Sequence, residues 1–401
     1  MKFEVLKQSN LKRNIIIGVT AVLIISTIIL TFTKAKYRVT ESIPLVNGTI
    51  NYSLADLNAV AIYINTADGY IKSDTVPESG YVLNEEESYC MVNGAEDTNI
   101  ALSYNVDTKS LSVSPITTKG TKCYLYFDEE PNAAGTIEDL YEDNQDMLAY
   151  DDYGNLRYIG VNPNNYVSFN DELWRIIGVF NEDTHSIGKE RLIKIIRNES
   201  LGNFAWDSAN TNNWSTASLQ TTLNGDYLNG SGSYTSTGIT SDARNMIENV
   251  TWKLGGTELP SVYVDNFYIA ERGTTVSSGR PTEWTGKVGL MYPSDYGYAT
   301  EGGETIDRNT CLTSTVLNSW SYYKDCGDNS WLLLNSSYDQ WTITPLSSYS
   351  DSVFTIFDIG QVGYSDSTFT MSVHPSVYLK SNVDITSGDG TSTKPYQLQL
   401  T

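Results

Sequence analysis

The most apolar stretch of the chain lies near its N-terminus, where residues 14–33 contain no charged side chain. A helix of about 20 residues matches the roughly 30 Å hydrocarbon core of a bilayer. The pattern therefore predicts a single-pass transmembrane helix over Asn14 to Thr33, preceded by a cytoplasmic tail (residues 1–13) and followed by a stalk (residues 34–44). A cleaved secretory signal is the alternative, although this stretch is longer than such signals and has no obvious Ala-x-Ala site.

Beyond the stalk, apolar and polar residues alternate with the period of two that is typical of strands. In the segment Cys123-Tyr-Leu-Tyr-Phe127, one face carries Cys, Leu and Phe and the other carries two Tyr. The Asp68-Gly69 pair is typical of a hairpin turn. The pattern predicts a small all-β domain over residues 45–128.

An acidic connector is predicted next, over residues 129–150, with a short helix around Ile137 to Leu148. From residue 151 to 401 the pattern changes to short strands and brief helices. This mixture predicts an α+β domain with mostly antiparallel strands. Its strands are predicted at Tyr166–Phe169, Leu173–Phe180, Arg191–Arg197, Val288–Met291, Trp331–Asn335, Trp341–Thr344, Phe354–Phe357 and Val373–Leu379, and its helices at Ser215–Asn224 and Ser241–Val250.

Charge narrows the choice of partner. The chain has 26 Lys and Arg against 48 Asp and Glu, a formal net charge of -22. Such a surface repels phosphate backbones, so we do not expect nucleic acid as a partner. With 40% hydrophobic residues the chain is able to bury a core, so acidity does not imply disorder.

The four cysteines fall into two pairs that are close in sequence, Cys90 with Cys123 and Cys311 with Cys326. Neither pair is a Cys-x-x-Cys motif, and both suit an oxidising compartment. We predict disulfides within each pair; free buried thiols are the alternative. Together with the acidity, this places the C-terminal domains outside the cell and the N-terminus inside it.

Several segments resemble a family of uncharacterised surface proteins of Gram-positive-type bacteria. They are Leu156–Gly160, Asn162–Val167, Leu173–Phe180, Val288–Gly297 and, near the C-terminus, Val377-Tyr-Leu-Lys380 with Gly388-Asp-Gly390. The resemblance implies a small β-domain followed by a domain that is similar, more distantly, to the C-type-lectin-like fold shared with formylglycine-generating-enzyme-like domains. Such a scaffold presents recognition loops. The family usually has Arg-Pro where this chain has His374-Pro375, which puts any role of that Arg in doubt.

Aromatic residues are the strongest compositional signal, with 8 Trp and 28 Tyr. Rigid amphipathic rings suit binding to glycans or protein surfaces. We expect Trp174, Trp331 and Trp341, which lie in apolar strands, to fill the core. The polar, loop-rich region from residue 277 to 330 is the predicted ligand face, and its aromatic residues are either ligand contacts or core residues. The candidate ligand-binding residues there are Trp284, Tyr296, Trp320, Tyr322 and Tyr323.

No motif specific to a reaction is present. The only histidines, His185 and His374, have no recognisable nucleophile motif beside them. Asp151–Asn155 and Ser387–Gly390 carry oxygen ligands suited to Ca²⁺, but neither is a complete ligand loop, so no cofactor is predicted. Turn chemistry explains both segments as well.

The sequence therefore predicts a membrane-anchored, extracellular, non-enzymatic surface protein with a recognition or adhesion role, whose ligand is a glycan or a protein. A cell-surface hydrolase acting on glycans is one alternative, because glycoside hydrolysis needs only two suitably placed carboxylates. A purely structural envelope protein is the other.

Overall fold

The computed structural model describes residues 59–66, 69–75, 77, 81–105, 110–114, 121–129, 132–188, 190–334 and 337–401. The predicted cytoplasmic tail, transmembrane helix and stalk lie outside these residues. Among the described residues, none of the helices has the length and apolar character needed to cross a bilayer.

The chain divides into two compact units, residues 1–128 and residues 129–401. In the first unit, a parallel pairing of β1 with β8 forms the centre of a sheet in the order β2-β1-β8-β4-β5, and β3 also pairs with β8. Strands β6 and β7 form a separate hairpin. The strands are β1 (Ala59–Ile64), β2 (Ile71–Ser73), β3 (Tyr81–Leu83), β4 (Tyr89–Val92), β5 (Ala95–Glu96), β6 (Ala101–Asn105), β7 (Ser110–Ser114) and β8 (Thr121–Glu129).

The second unit contains sixteen described strands. They are β9 (Leu148–Tyr150), β10 (Leu156–Tyr158), β11 (Tyr166–Phe169), β12 (Glu172–Phe180), β13 (Leu192–Arg197), β14 (Asn203–Ala205), β15 (Val250–Lys253), β16 (Glu283–Gly286), β17 (Val288–Gly289), β18 (Gln340–Pro345), β19 (Ser352–Ile356), β20 (Val362–Asp366), β21 (Thr370–Ser372), β22 (Ser376–Tyr378), β23 (Val383–Ser387) and β24 (Tyr396–Leu400).

Its described α-helices are all short. They are α1 (Ala133–Asp139), α2 (Glu182–His185), α3 (Ser218–Thr222), α4 (Ser241–Met246), α5 (Val264–Glu271), α6 (Pro293–Tyr298), α7 (Arg308–Thr313) and α8 (Lys324–Gly327). Single turns of 3₁₀-helix lie at Tyr141–Asp143, Trp214–Thr216, Gly232–Tyr234 and Leu317–Ser319, and a π-helical turn follows α3 at Leu223–Tyr227.

Two larger sheets organise the second unit. The first runs β17-β22-β13-β12-β11-β24-β23, with β10 and β9 attached beside β12. The second runs β14-β21-β18-β19-β20, and β15 pairs with β16 in a small ribbon. The predicted long hairpin is confirmed as β12 and β13, which pair from Trp174 with Arg197 to Phe180 with Leu192.

The α+β fold class predicted from the sequence is wrong for the residues that the structure describes. Strand exceeds helix, 35% against 21%, so the protein is mostly β-sheet. The reason lies in the predicted helices: within Ser215–Asn224 only α3 is α-helical, because a 3₁₀ turn precedes it and a π-helical turn follows it. These segments are connections between strands rather than a layer of helices.

The core of the second unit is rich in tryptophan. Trp174, Trp331 and Trp341 are buried, as the sequence predicted. The segment 129–150, predicted as a connector, belongs to this unit, and Ala133 and Ile137 of α1 are buried in its core.

Candidate functional site

One end of the second sheet carries two exposed aromatic residues that line a concavity. Strands β18 and β21 are parallel, β19 is antiparallel to β18, and β20 is antiparallel to β19. The starts of β18, β20 and β21 and the end of β19 therefore meet at the same end of the sheet. A groove of about 440 Å³ lies there, lined by Ser337, Tyr338, Asp339, Asp358, Phe369, Thr370 and Met371. We call it the aromatic–acidic groove.

Two rings on the groove are open to solvent. Tyr338 is 56% exposed and Phe369 is 58% exposed, whereas Met371 is buried. Thr355 contacts the Met371 sulfur at 3.2 Å, which holds that side chain against the sheet. Exposed rings over a buried apolar floor offer contact area that folding has not used, and such patches mark binding sites.

The two carboxylates of the groove belong to Asp339 and Asp358, which lie just before β18 and just after β19. The Asp339 backbone carbonyl accepts a hydrogen bond from the Ser372 N–H at 2.9 Å, and its Oδ1 accepts one from the Asp358 N–H at 3.0 Å. Burial raises the pKa of Asp339; the Asp358 N–H opposes that shift, and the negative charge of Asp358 adds to it. The groove thus holds a half-buried carboxylate beside an exposed one.

Two of the residues predicted to bind a ligand lie in the core. Tyr296 and Trp320 are fully buried, with ring centroids 5.5 Å apart. The Tyr296 hydroxyl donates to the Gly360 carbonyl at 2.8 Å. In this conformation neither ring is available to a ligand.

Trp284 has a packing role. It lies on β16 opposite Trp252, and its ring meets the Trp214 ring edge-on with centroids 6.1 Å apart. A Cβ added at Gly286 would lie 1.9 Å from the Trp284 ring, so the ring covers that glycine. The half-buried indole therefore closes one side of the core.

Tyr322 and Tyr323 are the predicted residues that the structure leaves exposed, at 85% and 44%. They lie on the segment closed by the Cys311–Cys326 disulfide. The neighbouring Ser321 hydroxyl donates to Gln361 Oε1 at 2.7 Å. Gln361 belongs to the connection between β19 and β20, which also carries Asp358 of the groove.

A chain of buried ion pairs lies elsewhere in the unit. Arg157 on β10 donates to Asp151 Oδ2 at 2.9 Å and to Asp295 Oδ1 at 2.8 Å. Lys194 Nζ on β13 donates to Asp295 Oδ2 at 2.6 Å. Burial lowers the pKa of Lys194 to about 8. Burial also acts to raise the pKa of Asp295, but the charges of Lys194 and Arg157 outweigh it and lower that pKa to about 2.

His374 has a serine partner that the sequence did not indicate. Its Nε2 lies 3.0 Å from Ser372 Oγ, and its Nδ1 lies 3.1 Å from the Arg197 carbonyl. Both side chains are buried, and burial lowers the pKa of His374 to about 4. The pair resembles the hydroxyl–imidazole contact of hydrolases, but its burial closes it to a substrate.

The segments considered for Ca²⁺ use their oxygens in turns. Asp151 Oδ1 accepts from the N–H groups of Tyr153 and Asn155, and its Oδ2 accepts from Arg157. Asp389 Oδ1 accepts from the Thr391 N–H. Within the described ranges, no group of three His, Cys, Asp or Glu side chains is arranged to hold a metal ion.

The sequence analysis predicted none of the four residues that supply the rings and carboxylates of the groove, which we call the principal groove residues: Tyr338, Asp339, Asp358 and Phe369. Tyr338 and Phe369 each stand alone among Ser, Thr and Asp residues between strands. A large ring isolated in a polar turn has no strand neighbours to bury it. The sequence therefore contained a signal that these two rings are exposed.

Comparisons of the chain with protein-family models, with curated proteins and with solved structures gave no match. The resemblance to bacterial surface proteins therefore stays a prediction.

Proposed function

We propose that this chain is an extracellular recognition protein that binds a glycan or protein ligand in the aromatic–acidic groove. The observation that carries the proposal is the groove itself, where two exposed rings and two carboxylates surround about 440 Å³. Rings supply rigid apolar contact area, and carboxylates accept hydrogen bonds from hydroxyl, amide or ammonium groups.

The two disulfides support the extracellular location in this proposal. Both predicted pairs are formed, Cys90 with Cys123 and Cys311 with Cys326. Structural disulfides persist in oxidising surroundings outside the cytosol. A recognition surface in that compartment meets glycans and proteins of other cells or of the cell envelope.

The test is capture of ligands from glycan and peptide arrays by the full-length chain and by Tyr338→Ala and Phe369→Ala variants. We expect each variant to lose at least about tenfold in affinity, since an exposed ring at the centre of a binding site is a typical hot spot. Tyr349→Ala is the matched control, because Tyr349 is 55% exposed and does not line the groove. Equal binding by all four proteins would overturn the proposal.

Hydrolysis of a glycan is the second candidate, favoured by one observation. Asp339 has a raised pKa beside the exposed carboxylate of Asp358, as an acid and its partner would have. An assay for reducing ends released from cell-wall polysaccharides measures this hydrolysis. Activity that disappears in both Asp339→Asn and Asp358→Asn supports hydrolysis; binding without turnover supports recognition.

A further inference from the structure

The carboxylates of the aromatic–acidic groove keep hydrogen-bond acceptors that the fold does not use. Within the described residues, Asp339 Oδ1 accepts the Asp358 N–H, but no hydrogen bond reaches Asp339 Oδ2 or either carboxylate oxygen of Asp358. By contrast, Asp366 at the end of β20 spends its Oδ1 on a turn, where it accepts from the N–H and the hydroxyl of Thr368. Three acceptor atoms of the groove are therefore open to a ligand that supplies donors.

Negative charge around the groove has no positive counterpart. Between Lys324 and Lys380 the sequence contains no Lys or Arg and six Asp. None of the described residues that line the groove is basic, and in that part of the chain neither Asp339 nor Asp358 forms an ion pair. Burial raises the pKa of Asp339, and the charge of Asp358 adds to that shift. The two carboxylates therefore act on each other, and a bound cation would offset their repulsion.

The rings beside these carboxylates suit a rigid, cyclic ligand. Tyr338 and Phe369 are each more than half exposed, and Met371 forms a buried floor. The C–H face of a pyranose ring is apolar and packs flat against an aromatic face, which removes apolar surface from water. A flexible chain such as a lysine side chain loses rotamer freedom when it is fixed in an open groove, whereas a pyranose has little such freedom to lose. The rings therefore favour a saccharide.

The size of the groove agrees with this choice. Its volume of about 440 Å³ lies within the range of about 300–1,000 Å³ that is typical of sites for small organic ligands. An ammonium or guanidinium group alone would fill only a small part of it. A sugar ring that carries an ammonium group uses both the volume and the charge.

We propose that the groove binds a glycan whose sugar residues carry free amino groups. A pyranose packs on the rings of Tyr338 and Phe369, and its protonated amino group lies between the carboxylates of Asp339 and Asp358. Its hydroxyls donate to the remaining carboxylate oxygens. This inference rests on the recognition function proposed above and names the ligand class of the same site.

The experiment measures the binding of fluorescently labelled trisaccharides to the full-length chain by fluorescence anisotropy. A linear trisaccharide of glucosamine, at a pH at which its amines are protonated, is compared with the uncharged trisaccharide of N-acetylglucosamine. We expect the glucosamine trisaccharide to bind at least about tenfold more tightly, and this difference to shrink as salt is added. Trilysine with blocked ends carries the same number of ammonium groups on flexible side chains and is expected to bind more weakly.

Protein variants assign the charge preference to the groove. Asp339→Asn combined with Asp358→Asn is expected to remove the preference for glucosamine, because these carboxylates supply it. Asn keeps an oxygen that is able to accept the Asp358 N–H, so the fold is preserved. Glu258→Gln combined with Glu304→Gln removes the same number of charges from exposed residues that do not line the groove, and is expected to keep the preference. Tyr338→Ala is expected to weaken the binding of both trisaccharides.

Each remaining outcome refutes the inference. Equal affinity for the two trisaccharides removes the ammonium group, and trilysine binding as tight as that of the glucosamine trisaccharide removes the sugar. A preference that survives neutralisation of Asp339 and Asp358 comes from the overall negative charge of the chain and not from the groove.

Failure of this inference is distinguishable from failure of the recognition function. If neither trisaccharide binds, the inference is refuted, and the recognition function stands when an array ligand depends on Tyr338 and Phe369. If the binding of every ligand is unchanged in Tyr338→Ala and Phe369→Ala, the recognition function itself is refuted.

Discussion

Lys194 Nζ lies 2.6 Å from Asp295 Oδ2, and both side chains are fully buried. Asp295 also binds Arg157, so one carboxylate joins β10, β13 and α6 at the centre of the second unit. The Lys194 amine lies 4.4 Å from the centre of the Tyr292 ring and 5.1 Å from that of Trp252. The ion pair therefore sits among aromatic rings rather than in water.

Lys194→Met is expected to lower the free energy of unfolding by about 3–5 kcal/mol, because it leaves the buried Asp295 carboxylate without one of its two cations. Urea unfolding followed by tryptophan fluorescence measures the change. Lys394→Ala, which breaks an exposed contact of 3.6 Å with Asp389, is the control and should leave stability unchanged. A loss below about 1 kcal/mol for Lys194→Met would show that the pair is not a stabilising contact.

His374 makes stability depend on pH. Burial lowers its pKa from 6.5 to about 4, so between these values the unfolded chain takes up a proton that the folded chain does not. Stability conferred by neutral His374 is complete above pH 6.5 and is lost as pH falls to about 4, by up to about 3 kcal/mol. Unfolding of wild type and of His374→Gln, compared at each pH, isolates this contribution from the other titrating groups.

We expect the stability of wild type relative to His374→Gln to fall between pH 6.5 and pH 4 and to level off below that. His185 is present in both proteins and cancels in the comparison. A difference that stays constant over this range would mean that His374 is protonated as easily in the folded chain as in the unfolded one.

Trp284 and Tyr322, both predicted from the sequence to bind a ligand, should differ in how much their truncation to Ala lowers stability. Trp284→Ala removes a ring packed on Trp214 and Gly286, so it should lower the free energy of unfolding by about 2 kcal/mol. Tyr322→Ala removes a ring that is 85% exposed and should leave stability unchanged. Thermal unfolding of the two variants side by side measures both effects. Equal destabilisation by the two substitutions would mean that the contact of Trp284 with Trp214 does not stabilise the fold.

The Cys311–Cys326 disulfide closes a segment with a sequence separation of 15. Replacing both cysteines by Ala is expected to destabilise the second unit by about 3 kcal/mol, mainly by freeing the unfolded chain. Calorimetry under non-reducing conditions measures the change. Cys90→Ala with Cys123→Ala is the matched control, because that disulfide lies in the other unit. A fall in stability of the second unit caused by the control pair would contradict the division into two units.

Local pattern predicted the elements that have strong periodicity. Tyr166–Phe169 is a strand with the predicted bounds, and the hairpin of β12 and β13 was predicted within one residue at each strand. The predicted strand from Trp331 is wrong, because Trp331 to Leu334 form no strand. Trp331 instead donates from its ring N–H to the Tyr158 carbonyl at 2.9 Å. A short run of apolar residues predicts that the residues are buried, but it does not predict their backbone conformation.

The candidate site could not be predicted from the local hydrophobic pattern, for a different reason. Tyr338, Asp358 and Phe369 come from three separate segments, and only the pairing of β18 with β19 and β21 brings them to one groove. Strand order depends on residues far apart in the sequence. The sequence around any one of these residues therefore gives no information about which other residues lie beside it. The disulfide pairs, by contrast, were predictable because each joins the nearest cysteine in sequence.

The principal groove residues occupy connections at strand ends, and this position affects how the protein can change over generations. Tyr338, Asp339, Asp358 and Phe369 all lie outside the strands whose ladders hold the sheet together. Their side chains take no part in strand pairing or in the core, and among them only Asp339 accepts a backbone hydrogen bond, from the Asp358 N–H, within the described residues. The recognition function proposed for the groove therefore predicts that related chains differ first at these four positions, while the tryptophan core stays constant.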